Sequence, residues 1–396
     1  MAYDAFDFFF PTRICFGAGE SARTAEHLLR YMPCKKVFVV TYGDFVLPVL
    51  GQILDSLRAA GVETTLYDKA VPNPRAQEVD AGAAAFAASG ADAILGVGGG
   101  SVIDTAKAIA LLAANPAEGG IWTYMSYAAQ PERPAVPVGL VVSIASTGSE
   151  GNESFVVTSP DGQQKLIYSA ESVRPRFSVC DPELSYTLPA RQTALGAADI
   201  FSHVLEQYLH NQPGVETSDN LSLGILSAVV QYAPVAVASP ADAAARANLM
   251  WASILAMSRL LGVGHAENWV CHMLEHAVSA RYNLPHAAGM TAITPAYLCY
   301  IAPQDTAGKL ARLGAQVFGT AETAEAGIAA VTAFFRALDL PVTLTEALGE
   351  RPDAGALSAL AQNAIPWGTM EAGAYRPFTV QDAETVLRMA AEPGDA

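Results

Sequence analysis

The chain has 396 residues, about half of them hydrophobic, and a formal net charge of −16. This length and apolar content suit two or three folded domains with sizeable cores and exclude an extended disordered polymer. The acidic balance, with no Lys/Arg-rich run, argues against nucleic acid or an anionic membrane surface as partner.

The opening "MAYDAFDFFF" is acidic, and its apolar run is too short for a signal peptide. Next, "KKVFVVTYG" is a β-branched strand ending in a turn. "FVLPVLGQILDSLRAAG" reads as a helix closed by Gly61, with Pro48 in its first turn or at a kink. "VETTLYD" is a second strand, "VPNPR" a loop and "AQEVDAGAAAFAASG" a helix. "ADAILGVGGG" is a third strand running into glycines, followed by the helix "VIDTAKAIALLAAN". "AVPVGLVVSIA" adds a buried strand, and no apolar run reaches the roughly 18 residues of a membrane span. Such alternation predicts an α/β domain with a parallel sheet. From about Leu188 alanine-rich amphipathic segments dominate, and the rest of the chain reads as helical. Cys15, Cys34, Cys180, Cys271 and Cys299 are odd in number and form no C-x-x-C, which suits a reduced intracellular protein.

Two places carry chemistry. In "GVGGGSVIDTAKA" a strand ends near Val97 and a helix begins near Val102. Glycines there let the backbone approach a phosphate, and the helix N-terminus offers free N–H groups and a positive dipole end. Ser101 stands where a Rossmann string needs its third glycine, and no Walker A lysine follows, so the loop is a generic phosphate cradle or a ligand-free tight turn. "SIASTGSEGN", after a later strand, adds the hydroxyls of Ser146, Thr147 and Ser149, or caps a helix.

The second place is a histidine cluster. Six of the seven histidines fall between His203 and His286. Asp199 and His203 are spaced i, i+4, as are His272 and His276, so each pair shares a helix face. His286 follows shortly after "YNLP". Asp199, His203, His272 and His286 together offer one carboxylate and three imidazoles, a set suited to Fe²⁺ or Zn²⁺. Singly, each histidine reads equally as a cap or a hydrogen-bonded core residue. His272-Met-Leu-Glu275-His276 also spells the H-x-x-E-H of the inverzincin proteases. That reading needs a distant third ligand and gives no role to Asp199, His203 or the glycine loop.

These stretches, with "PTRICFGAG", "PNP" at Pro72–Pro74, "STGSE", "DPELSYTLPARQTALGAADIFSHVLEQY" and "HMLEHAVSARYNLPHAAGM", resemble the iron-dependent (group III) alcohol dehydrogenases over nearly the whole chain. The texture is similar to the bacterial butanol dehydrogenase and broad-range aldehyde reductase branch. The resemblance implies an N-terminal α/β dinucleotide-binding domain (1–187), an all-helical metal-binding and substrate domain (188–396), and an active site in the cleft between them. It implies Asp199, His203, His272 and His286 as metal ligands, and His276 as a neighbour of the metal with a catalytic part. Gly99, Gly100 and Ser101, with Asp104, are implied to hold the pyrophosphate. Thr147, Lys165, Leu188 and Asn73 are implied as further cofactor contacts. The expected activity is reversible hydride transfer between a primary alcohol or aldehyde and a nicotinamide, with one divalent metal, Fe²⁺ or Zn²⁺. A cytoplasmic homodimer is the expected setting.

Asp44, in the loop after the first strand, is where a carboxylate could meet the adenosine ribose and repel a 2′-phosphate, so NAD is expected over NADP. Here "TYGDF" replaces the glycine-serine run of NADP-using members, and Tyr282 stands where some members have a further histidine. Rival readings are a related metal-dependent polyol dehydrogenase, a lyase-type relative using NAD transiently, and a non-catalytic nucleotide-binding protein with a degenerate site.

Overall fold

The computed structural model describes residues 3–43, 47–370 and 375–392. Asp44 lies outside the described residues. The chain divides into a contiguous unit, Phe10–Leu188, and a second made of Met1–Phe9 with Pro189–Ala396.

The first unit is built on strands β1 (Arg13–Phe16), β2 (Lys36–Tyr42), β3 (Glu63–Ala70), β4 (Ala93–Gly98), β5 (Val138–Val142) and β8 (Phe177–Cys180). They form one sheet, ordered β1-β8-β5-β4-β2-β3, with every pairing parallel. Helices α1 (Thr24–Tyr31), α2 (Leu50–Ala59), α3 (Ala76–Ser89), α4 (Gly100–Ala114) and α5 (Trp122–Met125) connect them, and β6 (Ser154–Thr158) with β7 (Lys165–Ser169) forms an antiparallel hairpin. Val37, Val39, Leu95, Val97, Val141 and Val179 pack on one sheet face with Leu28 of α1 and Ile53 and Leu57 of α2. The alternate residues Phe38, Val40 and Ile94 are equally buried, which is why the central strands read as unbroken apolar runs. The chain steps from β2 outward to β3, then returns to place β4 on the other side of β2. Such a reversal opens a crevice beyond the carboxyl ends of the two strands, and the glycine loop sits there.

The helix expected before Gly61 starts at Leu50, with Pro48 in the turn ahead of it. The helix after the glycines starts at Gly100, two residues earlier than expected, so Gly100 and Ser101 are its first residues. β1, β6, β7 and β8 have no counterpart in the sequence reading, because runs of four or five residues carry little periodicity.

The second unit is helical: α6 (Ala190–Tyr208), α7 (Glu216–Ala238), α8 (Ala243–Ala256), α9 (Val270–Tyr282), α10 (His286–Ile301), α11 (Lys309–Leu313), α12 (Ala324–Ala337), α13 (Leu344–Leu348), α14 (Ala354–Ala364) and α15 (Val380–Ala390). A two-residue hairpin, β9 (Thr369–Met370) with β10 (Phe378–Thr379), precedes α15. Residues 3–9 belong to this unit, and the Asp4 amide donates to the Gly264 carbonyl at 2.9 Å. Among the described residues α7 is long and apolar enough by composition to cross a membrane. The run-length reading passes over it because Ser222, Ser227 and Gln231 interrupt the apolar stretch. In the structure it packs against α6 and α8.

Candidate metal centre and dinucleotide cradle

Three helix segments of the second unit converge on the histidine cluster. On α6, Asp199, His203 and Glu206 follow one another at four and three residues and line one buried face. On α9, Glu275 and His276 follow His272 at three and four residues, and all three are buried. Asn283 closes α9 in the left-handed conformation (φ 51°) and Pro285 precedes α10, so the chain reverses within three residues and His286 opens the next helix. Gly289 lets α10 settle there, since a Cβ at that position would lie 2.7 Å from Glu275 Cγ.

Asp199 Oδ1 lies 3.5 Å from His286 Nε2 and 3.7 Å from His203 Nδ1. The His203 and His272 rings are 4.6 Å apart, and those of His272 and His286 5.3 Å. One potential ligand atom from each of Asp199, His272 and His286 falls within 4.8 Å of the others. Glu275, His276 and His286 meet the same criterion. The His276 ring lies 5.5 Å from that of His286.

Two carboxylates set the histidines' tautomers. Glu206 accepts from His272 Nδ1 and from the Cys271 amide at 2.6 Å. Glu275 accepts from His286 Nδ1 and from the Ser279 hydroxyl. A carboxylate only accepts, so each Nδ1 carries the proton and each Nε2 is left with a lone pair. Among the described residues, His272 Nε2 and His203 Nδ1 are buried with no hydrogen-bond partner. Burial lowers the His203 pKa to about 4 and keeps that ring neutral. Burial alone would depress His272 too, but the Glu206 carboxylate overrides it and raises its affinity for positive charge. Bare imidazole nitrogens, a buried carboxylate and charge-compensating carboxylates behind the rings fit a divalent cation of the iron or zinc type.

In the first unit, Gly99 caps α4 and its amide donates to the Tyr42 hydroxyl at 2.9 Å. A Cβ on Gly100 would lie 2.5 Å from Thr147 Cγ2, so the loop after β5 rests directly on the backbone that opens the helix. Asp104, one turn on, accepts from Ser149 Oγ at 3.0 Å and from the Val156 amide at 3.2 Å. Burial pushes its carboxyl up to about 6, against the pull of Lys107. Gly99, Gly100, Ser101, Asp104 and Thr147 are thus gathered at one helix end. Lys165 Nζ donates to Asn73 Oδ1 at 3.1 Å, and Asn73 adopts φ 51°. Lys165 also lies near enough to draw the Asp104 pKa down. The Leu188 amide donates to the Ser185 carbonyl at 3.2 Å.

Residues 11–182 match the family of iron-containing alcohol dehydrogenases, and residues 193–391 match the C-terminal region of the Fe-containing alcohol dehydrogenase family. The chain belongs to the iron-containing alcohol dehydrogenases. It is 35% identical over 331 residues to NADH-dependent butanol dehydrogenase B of Clostridium acetobutylicum, covering 79% of this chain and 80% of that one. It is 32% identical over 345 residues to the NADPH-dependent aldehyde reductase YqhD of Escherichia coli, covering 85% and 87%. The crystal structure of NADH-dependent butanol dehydrogenase A from Thermotoga maritima superposes with a TM-score of 0.91 at 30% identity, over 99% of this chain and all of that one.

Within this iron-containing alcohol dehydrogenase, sequence reasoning passed over Glu206 and Lys107, weighed Glu275 only in the protease motif, and took Tyr42 only as part of the loop after the first strand. The two glutamates had a usable signal. Glu206 is i+3 from His203 and Glu275 is i+3 from His272, so each shares a face with a candidate ligand. For Lys107 and Tyr42 no local signal exists, because their partners lie more than 40 residues away.

Proposed function

We propose that Asp199, His203, His272 and His286 hold one divalent metal, and that Gly99, Gly100, Ser101, Asp104, Thr147, Asn73, Lys165 and Leu188 hold a nicotinamide dinucleotide, NAD in preference to NADP. As a family member the chain is a metal-dependent alcohol dehydrogenase or aldehyde reductase, and the reading concerns which residues do the work. When bound, the metal supplies Lewis acidity at the substrate oxygen, and the nicotinamide C4 exchanges the hydride. Asp199 contributes negative charge to the ligand set. Glu206 and Glu275 hold the Nδ1 protons of His272 and His286, so that both rings offer Nε2 without reorganising. His276, beside His286 and buried, is placed to orient the substrate or relay its hydroxyl proton. The amides opening α4 and the dipole of that helix stabilise the pyrophosphate.

The observation that carries the reading is the pairing of each of two histidines with its own buried carboxylate, a pattern that orients metal-ligating imidazoles. Asp199→Ala and His272→Ala should lose bound metal by elemental analysis and turnover of butanal followed at 340 nm, with the fold kept by circular dichroism. His276→Ala should keep the metal and slow turnover. Full turnover in a metal-free protein overturns the ligand assignment, and metal loss in His276→Ala as complete as in His272→Ala replaces one ligand by the other.

The NAD preference rests on the loop Tyr42-Gly43-Asp44, which offers a carboxylate and no Arg or Lys for a 2′-phosphate. The ratio of kcat/KM for NADH over NADPH should exceed one and fall in Asp44→Gly. A preference for NADPH that Asp44→Gly leaves unchanged rules Asp44 out as the discriminating group.

A further inference from the structure

Lys107 is fully buried, in the middle of α4, and its ammonium is surrounded by oxygens from one short stretch of chain. Nζ lies 2.5 Å from Ser149 O, 2.9 Å from Ser149 Oγ, 2.9 Å from Asn152 O, 3.1 Å from Asn152 Oδ1 and 2.8 Å from Ser154 O. Four of these are carbonyl oxygens, three of the backbone and one of the Asn152 side chain, which only accept, so the cage suits a cationic hydrogen-bond donor. Leaving such a charge unpaired in the interior would be strongly unfavourable, and leaving the carbonyls without it would strand buried acceptors.

The caged segment runs back to the cradle. The Ser149 amide donates to Thr147 Oγ1 at 3.3 Å, and Ser149 Oγ donates to Asp104. Gly100, Asp104 and Lys107 are spaced four and three residues along α4, so they present one face to the loop. Thr147 seats on Gly100, Ser149 on Asp104, and Ser149, Asn152 and Ser154 on Lys107. From the far side Arg174 donates to the Gly151 carbonyl at 2.8 Å and pairs with Glu153 at 2.5 Å.

We propose that Lys107 is a positioning residue for dinucleotide binding: its ammonium shapes the Ser149–Ser154 turn and so holds Thr147 against the end of α4 that receives the pyrophosphate. This rests on the cradle reading given above. Lys107 touches no reacting atom, so its loss weakens cofactor binding and leaves metal binding and the chemical step in place.

The test compares wild type, Lys107→Met, Lys107→Arg and Ser149→Ala as full-length, metal-loaded proteins. NADH and NADPH dissociation constants are measured by fluorescence, with metal content, aldehyde KM and kcat at saturating cofactor. Lys107→Met should weaken dinucleotide binding by about 10- to 100-fold, the worth of a buried charge-assisted hydrogen bond. Metal content, aldehyde KM and saturated kcat should stay within about twofold, inside the usual scatter of such contributions. Lys107→Arg, which keeps the charge, should recover part of the affinity. Ser149→Ala, a gentler change that serves if Lys107→Met does not fold, should cost about threefold. Unchanged dinucleotide affinity in folded Lys107→Met or in Ser149→Ala overturns the proposal. So does a parallel fall of metal content and cofactor affinity, which would mark a general structural role. A wild-type protein that binds metal but neither dinucleotide removes the cradle reading itself, and the proposal with it.

Discussion

In the helical unit the groups proposed to hold a ligand are side chains: a carboxylate and imidazole nitrogens, with further carboxylates behind them. In the sheet unit the proposed contacts lie chiefly with the backbone amides at the start of α4, against which the Thr147 side chain packs. A cation needs lone pairs, which only certain residues carry. A pyrophosphate needs N–H groups, which every residue but proline carries, and close approach, which glycine allows. The metal centre therefore depends on residue identity at a few positions, and the cradle on the shape of a stretch of chain. Conservative substitutions should separate the two.

The largest effect is expected where charge behind a ligand is removed without changing shape. Glu206→Gln and Glu275→Gln should each lower metal affinity by about 10- to 100-fold in a metal titration, while the dinucleotide dissociation constant holds. If both constants shift together, the separation drawn here between side-chain and backbone recognition fails.

A single methyl group tests the other side. In Gly100→Ala the new Cβ would meet Thr147 Cγ2 at 2.5 Å and Oγ1 at 3.1 Å, so the loop must move. Overpacking of this kind costs on the order of 1–3 kcal/mol. The dinucleotide KM should rise by about tenfold at unchanged metal content. An unchanged KM would mean that the Thr147 contact does not set the cradle.

The smallest effect belongs to a change remote from both ligands. Asp382 completes the capping box of α15, accepting from the Thr379 amide at 2.9 Å, and gathers Tyr300 Oη at 2.5 Å and Arg376 Nη2 at 2.7 Å. Burial would raise its pKa, but Arg376 and Tyr300 hold the carboxyl well below the usual range. A carboxylate depressed in the folded state adds stability above its unfolded pKa and loses it as pH falls through the folded value. Asp382→Ala should lower thermal stability by on the order of 1–2 kcal/mol near neutral pH, with the deficit shrinking in strong acid. Metal and cofactor constants should stay put.

The same contrast explains what could be read from the sequence. Asp199, His203, His272 and His286 stood out as candidates because few residue types ligate metals and their spacings fit helix faces, and the structure gathers Asp199, His272 and His286. The glycine run was visible because three consecutive glycines and a serine between strand and helix have few other uses. Glu206 was passed over, and Glu275 was given no part outside the protease motif, because glutamate on a helix normally faces water. Their burial follows from the packing of α6, α9 and α10, which no local window contains. Lys107 reads as an ordinary helix lysine, and only the folding back of residues 149–154 turns it into the centre of a cage. The α/β alternation was legible from the central strands, buried on both faces. The edge strand β1 and the hairpin β6–β7 were too short to register.

The first residues of the chain have a consequence for its biosynthesis. The sheet unit is one continuous segment, Phe10–Leu188, while the helical unit is made of chain from both sides of it. Asp4 pairs with Gly264, so the leading residues emerge from the ribosome some 260 residues before their partner exists. Vectorial synthesis lets the parallel sheet close first, as a contiguous domain does. The leading segment must then wait until the chain beyond α8 has been made. The helical unit is thus the last to be completed, and a nascent chain stalled before Gly264 would carry a finished sheet and a helical unit still open.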